Sequence, residues 1–373
     1  MRADGELHIC GQEKSMSAIA SSICKDAVSV SCFLDEIPEW IEAALEKRYA
    51  SLHASLPYLR IHRPLHNIGC YVATLDDIPL EILLFRLERR QIVVLNEMFD
   101  FAPGEAARFV DFVFASFANI DVLSFSAVNA DCDGLRRPLQ RYPSKHTFVV
   151  SLPGTPEDYL ARIGKTTRAS IRQHLNTVRR VFPSLTWRCL VKDEIDTGTL
   201  RAIVELSERR INAKGVRLRH DIDRIAALSK ECGFVVVLLI DGRLCAGSIN
   251  YRVGSDFFGD VTCYDPEFHR YGLGKLCTYQ TVCESILRGG RQFHFGGGEF
   301  DFKERMLGKR VDMDQLHVYR SYPKVLANFT WAARVFVRGQ LGRYRTRLHA
   351  RKDSLQSRVV LGLLQAYRNR TAK

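Results

Sequence analysis

Apolar residues in the first half of the chain recur in short runs with strand character, separated by two stretches with helical spacing. Runs rich in β-branched and aromatic residues predict strands at 27–34, 69–74, 79–87, 91–98 and 121–128. Apolar side chains at helical spacing, each time after a proline, predict helices over 38–56 and 103–118. The polar stretch 136–145 then interrupts the pattern, so we place a domain boundary near residue 145.

The second half alternates in the same way, with longer apolar strands. A strand at 147–152 and helices from 156 and over 165–181 come first. The predicted order then becomes strand 186–191, helices 197–213 and 220–232, strands 234–240, 244–253 and 256–264, helix 272–288, strand 292–296, a short helix within 300–307 and an extended stretch 313–322. This order indicates an α/β (α+β) fold with a central mixed, mostly antiparallel sheet flanked by helices.

A length of 373 residues is enough for two domains with cores of their own. We divide the chain into a leader at 1–25, a first α/β domain at 26–145, a second at 146–323 and a basic amphipathic helical tail at 324–373. Charged residues interrupt the leader where an export signal would be apolar, and no window approaches a membrane-spanning helix. The eleven scattered cysteines include no Cys-x-x-Cys pair, so we expect reduced thiols, no metal and a cytoplasmic protein.

The net charge of +12 is concentrated in the tail. Residues 324–373 hold 12 of the 54 Lys and Arg residues and, with Asp353, one of the 42 acidic residues. The body is therefore nearly neutral, and we expect no DNA partner. For the tail we keep three alternatives: it lies on an anionic membrane surface at the inner face, it binds a partner protein, or its apolar face packs on the body.

One loop carries the clearest chemical signal. Two glycines separated by one residue stand between the strand at 256–264 and the helix at 272–288, where free backbone N–H groups and the positive end of the helix dipole favour an anion. Arg270 and Lys275 add positive charge. The candidate donor-binding residues are Thr262, Cys263, Arg270, Tyr271, Gly272, Leu273, Gly274 and Lys275.

The run Tyr264-Asp-Pro-Glu-Phe-His-Arg-Tyr-Gly-Leu-Gly-Lys275, followed by an amphipathic helix, resembles the pyrophosphate loop of the GNAT acyltransferases. His269 departs from the Gln or Arg that the superfamily prefers there. The Tyr-Asp-Pro opening, the Arg-Tyr pair and Gly274 resemble the CelD-like branch found beside polysaccharide synthesis. The arginine-rich helix at 165–181 and the pair Phe302-Lys303 resemble FemAB-type proteins.

The resemblance implies a GNAT fold with acetyl-CoA or another acyl-CoA as co-substrate. Tandem copies are common among FemAB-like relatives, so we predict that the first domain is a degenerate second copy of the fold. An unrelated α/β accessory domain is the alternative.

Acyl transfer from a thioester to an amine needs a base for the ammonium proton, a backbone donor to the thioester oxygen and an acid for the thiolate. Asp260, His294 and Glu299 are the candidate bases, because each is on or just after a strand that lines the predicted cleft. Tyr264 and Tyr319 are the candidate acids. The main chain near Thr262 and Cys263 is the candidate oxyanion donor, and Cys263 itself is more typical of a core residue than of an acyl carrier.

The candidate acceptor-binding residues are Arg168, Arg172 and Lys303. The first two share one face of a helix that contains no acidic residue, and the alternative for this helix is a solvated face. Lys303 has Glu299 four residues before it, so a helical ion pair explains both equally well. We predict an N-acyltransferase for an amine such as an amino sugar or a polysaccharide precursor; the alternatives are an aminoacyl-tRNA-dependent transferase and an inactive GNAT-fold scaffold.

Overall fold

The computed structural model describes residues 28–213, 215, 217–298 and 300–350. The first half runs through a strand, two helices, three antiparallel strands, a helix and a further strand. These elements are β1 Val28–Leu34, α1 Ile41–Tyr49, α2 Leu56–His62, β2 Ile68–Leu75, β3 Ile78–Glu88, β4 Gln91–Val94, the short β5 Phe99–Asp100, α3 Glu105–Ser116 and β6 Val122–Asn129. Strands β1 to β4 pair antiparallel in order, and β4 pairs parallel with β6.

The second half repeats this order after a long strand and two helices. Its elements are β7 Leu139–Ser151, α4 Pro156–Arg162, α5 Lys165–Val181, β8 Thr186–Val191, α6 Thr197–Asn212, α7 Ile222–Cys232, β9 Gly233–Ile240, β10 Arg243–Val253, β11 Asp256–Tyr264, α8 Leu273–Leu287 and β12 Gln292–His294. Strands β8 to β11 pair antiparallel, and β11 pairs parallel with β12. The two halves therefore share one topology, which confirms the predicted fold class and the second copy.

The halves join by exchanging one strand each. After β12 the chain forms α9 Asp301–Arg305 and β13 Lys309–Tyr319. Strand β7 follows β6 along the chain but pairs with β12, whereas β13 follows β12 and pairs with β6. Strands β7 and β13 pair antiparallel with each other, so one sheet runs through both halves. The boundary predicted near residue 145 falls inside β7, and the domain limits stay a prediction.

Two local predictions differ from the structure. The single helix predicted over 38–56 is divided into α1, the 3₁₀ turn Leu52–Ala54 and α2, because Ala50 adopts a left-handed conformation with φ 43°. The polar stretch 136–145 contains the start of β7. Proline cannot donate to a strand ladder, and Pro143 lies opposite Asp314 beside a register shift in β13, where the regular pairing is already interrupted.

Both faces of the sheet bury apolar cores in each half. In the second half, α8 and the helices before β8 cover one face, and α6 and α7 cover the other. In the first half, α3 covers one face and α1 and α2 cover the opposite face. The sheet is therefore shielded along its length, while the junction of the halves stays open as a groove.

The chain continues into α10 Tyr322–Ala327 and α11 Phe329–Ala350. Helix α11 packs on β7, where the Gln140 side chain donates to the carbonyl oxygen of Ala332 over 3.2 Å. No helix in the described ranges has both the length and the apolar content needed to cross a membrane.

Candidate active site at the junction of the halves

The parallel pair β11 and β12 separates after three residues. Asp256, Phe257 and Phe258 pair with Gln292, Phe293 and His294, and beyond that point β11 continues to Tyr264 paired with β10 but no longer with β12. A cavity of about 50 Å³ lies at this divergence; its lining includes Gly259, Asp260, Thr262, Phe295 and Phe302. The opening between the strands is therefore where an acyl group would pass between the two sides of the sheet.

The two residues predicted as oxyanion donors differ in their surroundings. Thr262 lines the cavity, but its carbonyl oxygen accepts a hydrogen bond from Arg210 over 3.2 Å. Cys263 is fully buried, and burial raises the pKa of its thiol to about 12. A neutral, enclosed thiol is a poor nucleophile, so the Cys263 side chain belongs to the core.

The loop before α8 is built around packed side chains. Gly272 has φ +67°, and a Cβ added there would lie 2.9 Å from the His174 ring. A Cβ on Gly274 would lie 2.6 Å from the Tyr264 ring. Both glycines are therefore required by contacts within the protein, whereas the sequence suggested that they make room for a phosphate. The Leu273 side chain is also in the core, so only its main chain faces the loop.

Cations nevertheless surround the start of α8. Lys275 Nζ donates to Ser170 Oγ of α5 over 2.8 Å, and burial and then the charge of Arg305 lower the pKa of Lys275. Arg270 donates to the Tyr271 hydroxyl over 2.6 Å, and the exposed Arg172 lies on α5. An anionic group at this helix end would meet the helix dipole together with Arg270 and Lys275.

The α5 arginines lie on the loop side of the sheet. Helix α5 reaches the loop through the Phe182 ring, 4.9 Å from the Tyr271 ring. Arg168 donates to the carbonyl oxygen of Ala161 over 2.8 Å, which satisfies the end of α4. Neither Arg168 nor Arg172 is among the residues that line the groove between the halves.

That groove has a volume of about 1130 Å³ and receives residues from both halves. Asp260 and His294 both line it. The Asp260 carboxylate is open to the groove, and the Tyr251 hydroxyl donates to its Oδ2 over 3.2 Å. The groove walls nevertheless remove water around Asp260, so burial raises the pKa of its carboxyl, and the Tyr251 hydrogen bond opposes this.

His294 is held by stacking. Its ring lies 4.3 Å from the Phe258 ring, and Nε2 is 3.6 Å from Asp256 Oδ2, beyond hydrogen-bond distance. The histidine therefore keeps a fixed orientation, while its Nε2 makes no hydrogen bond to any residue that the structure describes. Asp260 and His294, two of the three candidate bases, therefore line the same groove, as the sequence suggested.

The first half adds residues that the sequence analysis missed. His53, Tyr58 and His62 line the groove, with ring centroids 4.8 Å apart for His53–Tyr58 and 4.1 Å for Tyr58–His62. Burial and then the charge of Lys145 lower the pKa of His53 to about 4, so this imidazole is neutral at pH 7. The only sequence signal for this cluster was the helical spacing of Tyr58 and His62.

The other predicted site residues have different roles. Lys303 is buried, and its Nζ donates to the carbonyl oxygens of Gly296, over 2.9 Å, and Gly297. It therefore holds the turn after β12 instead of binding an acceptor, and burial lowers its pKa to about 8. Glu299 lies outside the described residues, so neither its predicted role as a base nor its predicted ion pair is tested.

Tyr319 is not near the divergence of β11 and β12. It lies on β13 beside β6, its hydroxyl donates to Gln140 over 2.6 Å, and its ring packs 6.0 Å from Trp331 of α11. Burial raises its pKa to about 12. The exchange of β13 into the first half explains this position, and it removes Tyr319 as a candidate acid; Tyr264 remains beside the loop.

In the first half, the loop before α3 is bound by a carboxylate of the protein itself, from β3. The fully buried Glu81 accepts a hydrogen bond from Ala102 N over 3.1 Å and forms an ion pair with Arg48. Glu105, the first residue of α3, is also buried. Carboxylates that pair with Arg48 and Arg108 therefore occupy the position where the second half offers cations, so the first copy is unsuited to hold a phosphate. Among the described residues, no group of three or more His, Cys, Asp or Glu is placed to hold a metal ion.

Comparison with known proteins places the second half in a class. Residues 165–304 match the family model described as an acetyltransferase (GNAT) domain. This part of the chain is therefore similar to the acetyltransferase domains of the GNAT superfamily. A search of curated protein sequences gave no match.

Solved structures extend the likeness to both halves. The crystal structure of FemX matches with a TM-score of 0.58 and 10% identity, over 78% of this chain and 98% of FemX. A conserved protein of unknown function from Bacteroides thetaiotaomicron matches with a TM-score of 0.53 and 13% identity, over 77% of this chain and 99% of that chain. At such low identity the likeness concerns the fold alone.

Proposed function

We propose that the protein is an acyl-CoA-dependent N-acyltransferase whose amine acceptor binds in the groove between the halves. One observation carries the proposal: Gly259, Asp260 and Phe295 line both the cavity at the strand divergence and the groove. A donor held at the cationic start of α8 and an acceptor in the groove would therefore meet at Asp260. The match of residues 165–304 to a GNAT acetyltransferase domain supports transfer of an acyl group from this donor to the acceptor.

Asp260 is the residue we assign as the base. Its raised pKa gives the carboxylate more affinity for a proton than an ordinary aspartate, which suits removal of a proton from an acceptor ammonium. The neutral amine then attacks the thioester carbonyl and gives a tetrahedral intermediate whose nitrogen carries one excess proton. The C–S bond breaks, the thiolate leaves, and the nitrogen's excess proton replaces the proton that the thiolate takes up. Tyr264 is our candidate to protonate that thiolate, because its ring packs against Gly274 at the loop. His294 is the alternative base.

The acceptor follows from the sequence resemblance and the groove. The groove has a volume of about 1130 Å³. An acceptor as small as a single amino acid would fill only part of it. Together with the resemblance to CelD-like proteins, it supports an amino sugar or a polysaccharide precursor as the acceptor.

A second candidate donor is an aminoacyl-tRNA. The likeness to FemX over nearly all of that chain favours it, because FemAB-type resemblance implies this donor. The cations on α5 would suit either polyanion. The two donors differ in salt dependence, since contact with many nucleic-acid phosphates releases many counterions.

Calorimetric titration of the full chain with acetyl-CoA, a long-chain acyl-CoA and free CoA tests the proposal. Gly274→Glu is a poor test because its Cβ would strike the Tyr264 ring. Lys275→Glu instead reverses one charge at the start of α8, and Lys230→Glu makes the same change on the exposed side of α7. We expect at least tenfold weaker binding for Lys275→Glu and unchanged binding for Lys230→Glu.

The outcomes separate the candidates. Binding of CoA by wild type that Lys275→Glu weakens supports the proposed donor site. Salt-sensitive binding of aminoacyl-tRNA without binding of CoA would move the assignment to the second candidate. A folded protein that binds neither donor would be the inactive scaffold that the sequence left open.

A further inference from the structure

Helix α11 is fixed to the body by one face. Ala332, Val335 and Gly339 are buried against the sheet, and a Cβ on Gly339 would lie only 2.2 Å from the Tyr142 ring of β7. Arg343 reinforces this contact by donating to the carbonyl oxygen of Arg141 over 2.9 Å. The helix is therefore held at a defined rotation about its axis.

Four apolar side chains on α11 are turned away from that contact. We name them the outer stripe: Phe329, Val337, Leu341 and Tyr344, which are 53% to 65% exposed. At about 100° per residue they share an arc of about 120° that is centred away from Ala332 and Gly339. Phe336 lies at the edge of this arc, where its ring is 6.5 Å from the Tyr142 ring. Tyr322 and Leu326 of α10, 77% and 74% exposed, extend the apolar surface at the start of the helix.

Positive charge accompanies the outer stripe. Arg334 and Arg338 are exposed beside it. Residues 324–350 contain no aspartate or glutamate, and 12 of the chain's 54 Lys and Arg residues lie in 324–373. An anionic surface would therefore meet arginines without meeting a carboxylate of the same helix.

We propose that the outer stripe docks the protein on an anionic lipid surface, with α11 lying in the plane of the headgroups. Apolar side chains would enter the boundary between headgroups and acyl chains, and the arginines would bind lipid phosphates. A groove on a partner protein is a poorer fit. Such a groove surrounds the apolar face of a helix, and the sheet that holds α11 stands in the way of a partner that would surround it. A flat surface can meet the stripe without moving the helix.

Sedimentation of the full chain with lipid vesicles tests this proposal. One set of vesicles is phosphatidylcholine alone, and the other contains phosphatidylglycerol as well. The variant Val337→Glu/Leu341→Glu places charge in the outer stripe, and Leu287→Glu makes the same change at the 67% exposed end of α8. Arg334→Glu/Arg338→Glu reverses the flanking charge, with Arg209→Glu, an exposed arginine of α6, as its control.

We expect wild type to bind the phosphatidylglycerol vesicles, and to bind them more weakly as salt rises. One arginine near an anionic surface changes partitioning about fivefold, so the double arginine variant should bind at least about 25-fold more weakly. The stripe variant should lose binding, and both controls should keep it. Equal binding to both kinds of vesicle would overturn the role of charge.

Absence of binding to any vesicle would overturn the proposal as a whole. If light scattering then showed a dimer that Val337→Glu/Leu341→Glu dissociates, the outer stripe would be an interface between two copies of the chain. Circular dichroism of each variant checks that it folds, and the two single variants Val337→Glu and Leu341→Glu replace the double variant if it does not.

Discussion

The Tyr251 hydroxyl on β10 donates a hydrogen bond to Asp260 Oδ2 on the neighbouring strand β11, over 3.2 Å. This bond connects the buried body of the second half to the carboxylate that faces the groove. It favours the ionised form of Asp260, while burial favours the protonated form. Tyr251 is therefore one of the groups, with the charges of His220 and His62, that lower the pH at which Asp260 becomes a base.

Substitutions at this pair test the assigned base. Asp260→Asn should lower kcat/KM at least about 100-fold, the usual minimum for loss of a general base. Because Asp260 must be ionised, activity should rise with pH through its raised pKa. Tyr251→Phe removes the hydrogen bond that lowers this pKa, so the acidic limb of the pH–rate profile should move to higher pH. An unmoved limb would mean that another group is the base.

Lys303 should give the free energy of unfolding a pH dependence in the alkaline range. Its pKa is about 8 in the folded protein and about 10.5 in a free side chain, so the unfolded chain binds more protons between these values. Lys303 should therefore contribute a rise in folding stability from pH 8 to pH 10.5, of about 3 kcal/mol, while buried thiols such as Cys263, with raised pKa, contribute a fall over the upper part of this range. The Lys303 contribution is read as the difference between wild type and Lys303→Met in urea titrations, which should change by this amount between pH 8 and pH 10.5; the exposed neighbour Lys309→Met should show no such change.

Lys303→Met should also lower stability at pH 7. The carbonyl oxygens of Gly296 and Gly297 would lose their donor, which costs about 1 to 3 kcal/mol for buried polar groups. A variant as stable as wild type at pH 7, with the same alkaline dependence, would contradict the role of Lys303 as the support of this turn.

Much of the fold follows from local sequence patterns. The order of strands and helices in both halves was predictable because apolar periodicity distinguishes the two, as in the run of strands β9 to β11. The exchange of β7 and β13 was not predictable, because periodicity shows which residues form a strand and not which strand lies beside it. Polar residues and Pro143 also hid the first part of β7.

The site was predictable only where one segment carries it. The loop before α8 and the strand positions of Asp260 and His294 were found because their chemistry lies within one motif or one strand end. His53 and Tyr58 join the site because they lie near His294 and Asp260, which are more than 200 positions further along the chain. Local spacing in the sequence cannot predict such a contact. Tyr319 was assigned to the site for the same reason: β13 follows the second half along the chain but pairs with β6 of the first half.

His317 should make the protein less stable in acid. Burial lowers its pKa to about 4, and its Nδ1 lies 2.8 Å from Ser124 Oγ. The unfolded chain binds more protons between pH 4 and about 6.5, so folding stability should fall as pH decreases through this range. His317→Gln should reduce the slope of unfolding free energy against pH without abolishing it, because His53 titrates similarly. The exposed His66→Gln should leave the slope unchanged.

Two glycines of α11 provide a matched pair for the packing of this helix. Alanine is favoured over glycine within a helix by about 1 kcal/mol, so Gly342→Ala should raise the midpoint of thermal unfolding; among the described residues, the atom nearest to its Cβ would be the carbonyl oxygen of Pro143, at an unstrained 3.8 Å.

Gly339→Ala gains the same propensity but puts its Cβ 2.2 Å from the Tyr142 ring, an overlap that forces the helix or the ring to move and costs about 1 to 3 kcal/mol. We therefore expect a lower midpoint and faster tryptic cleavage between Arg334 and Arg343 for this variant alone. If Gly339→Ala matched Gly342→Ala in both measurements, α11 would not rest on β7 in solution, and the outward orientation of its apolar stripe would lose its support.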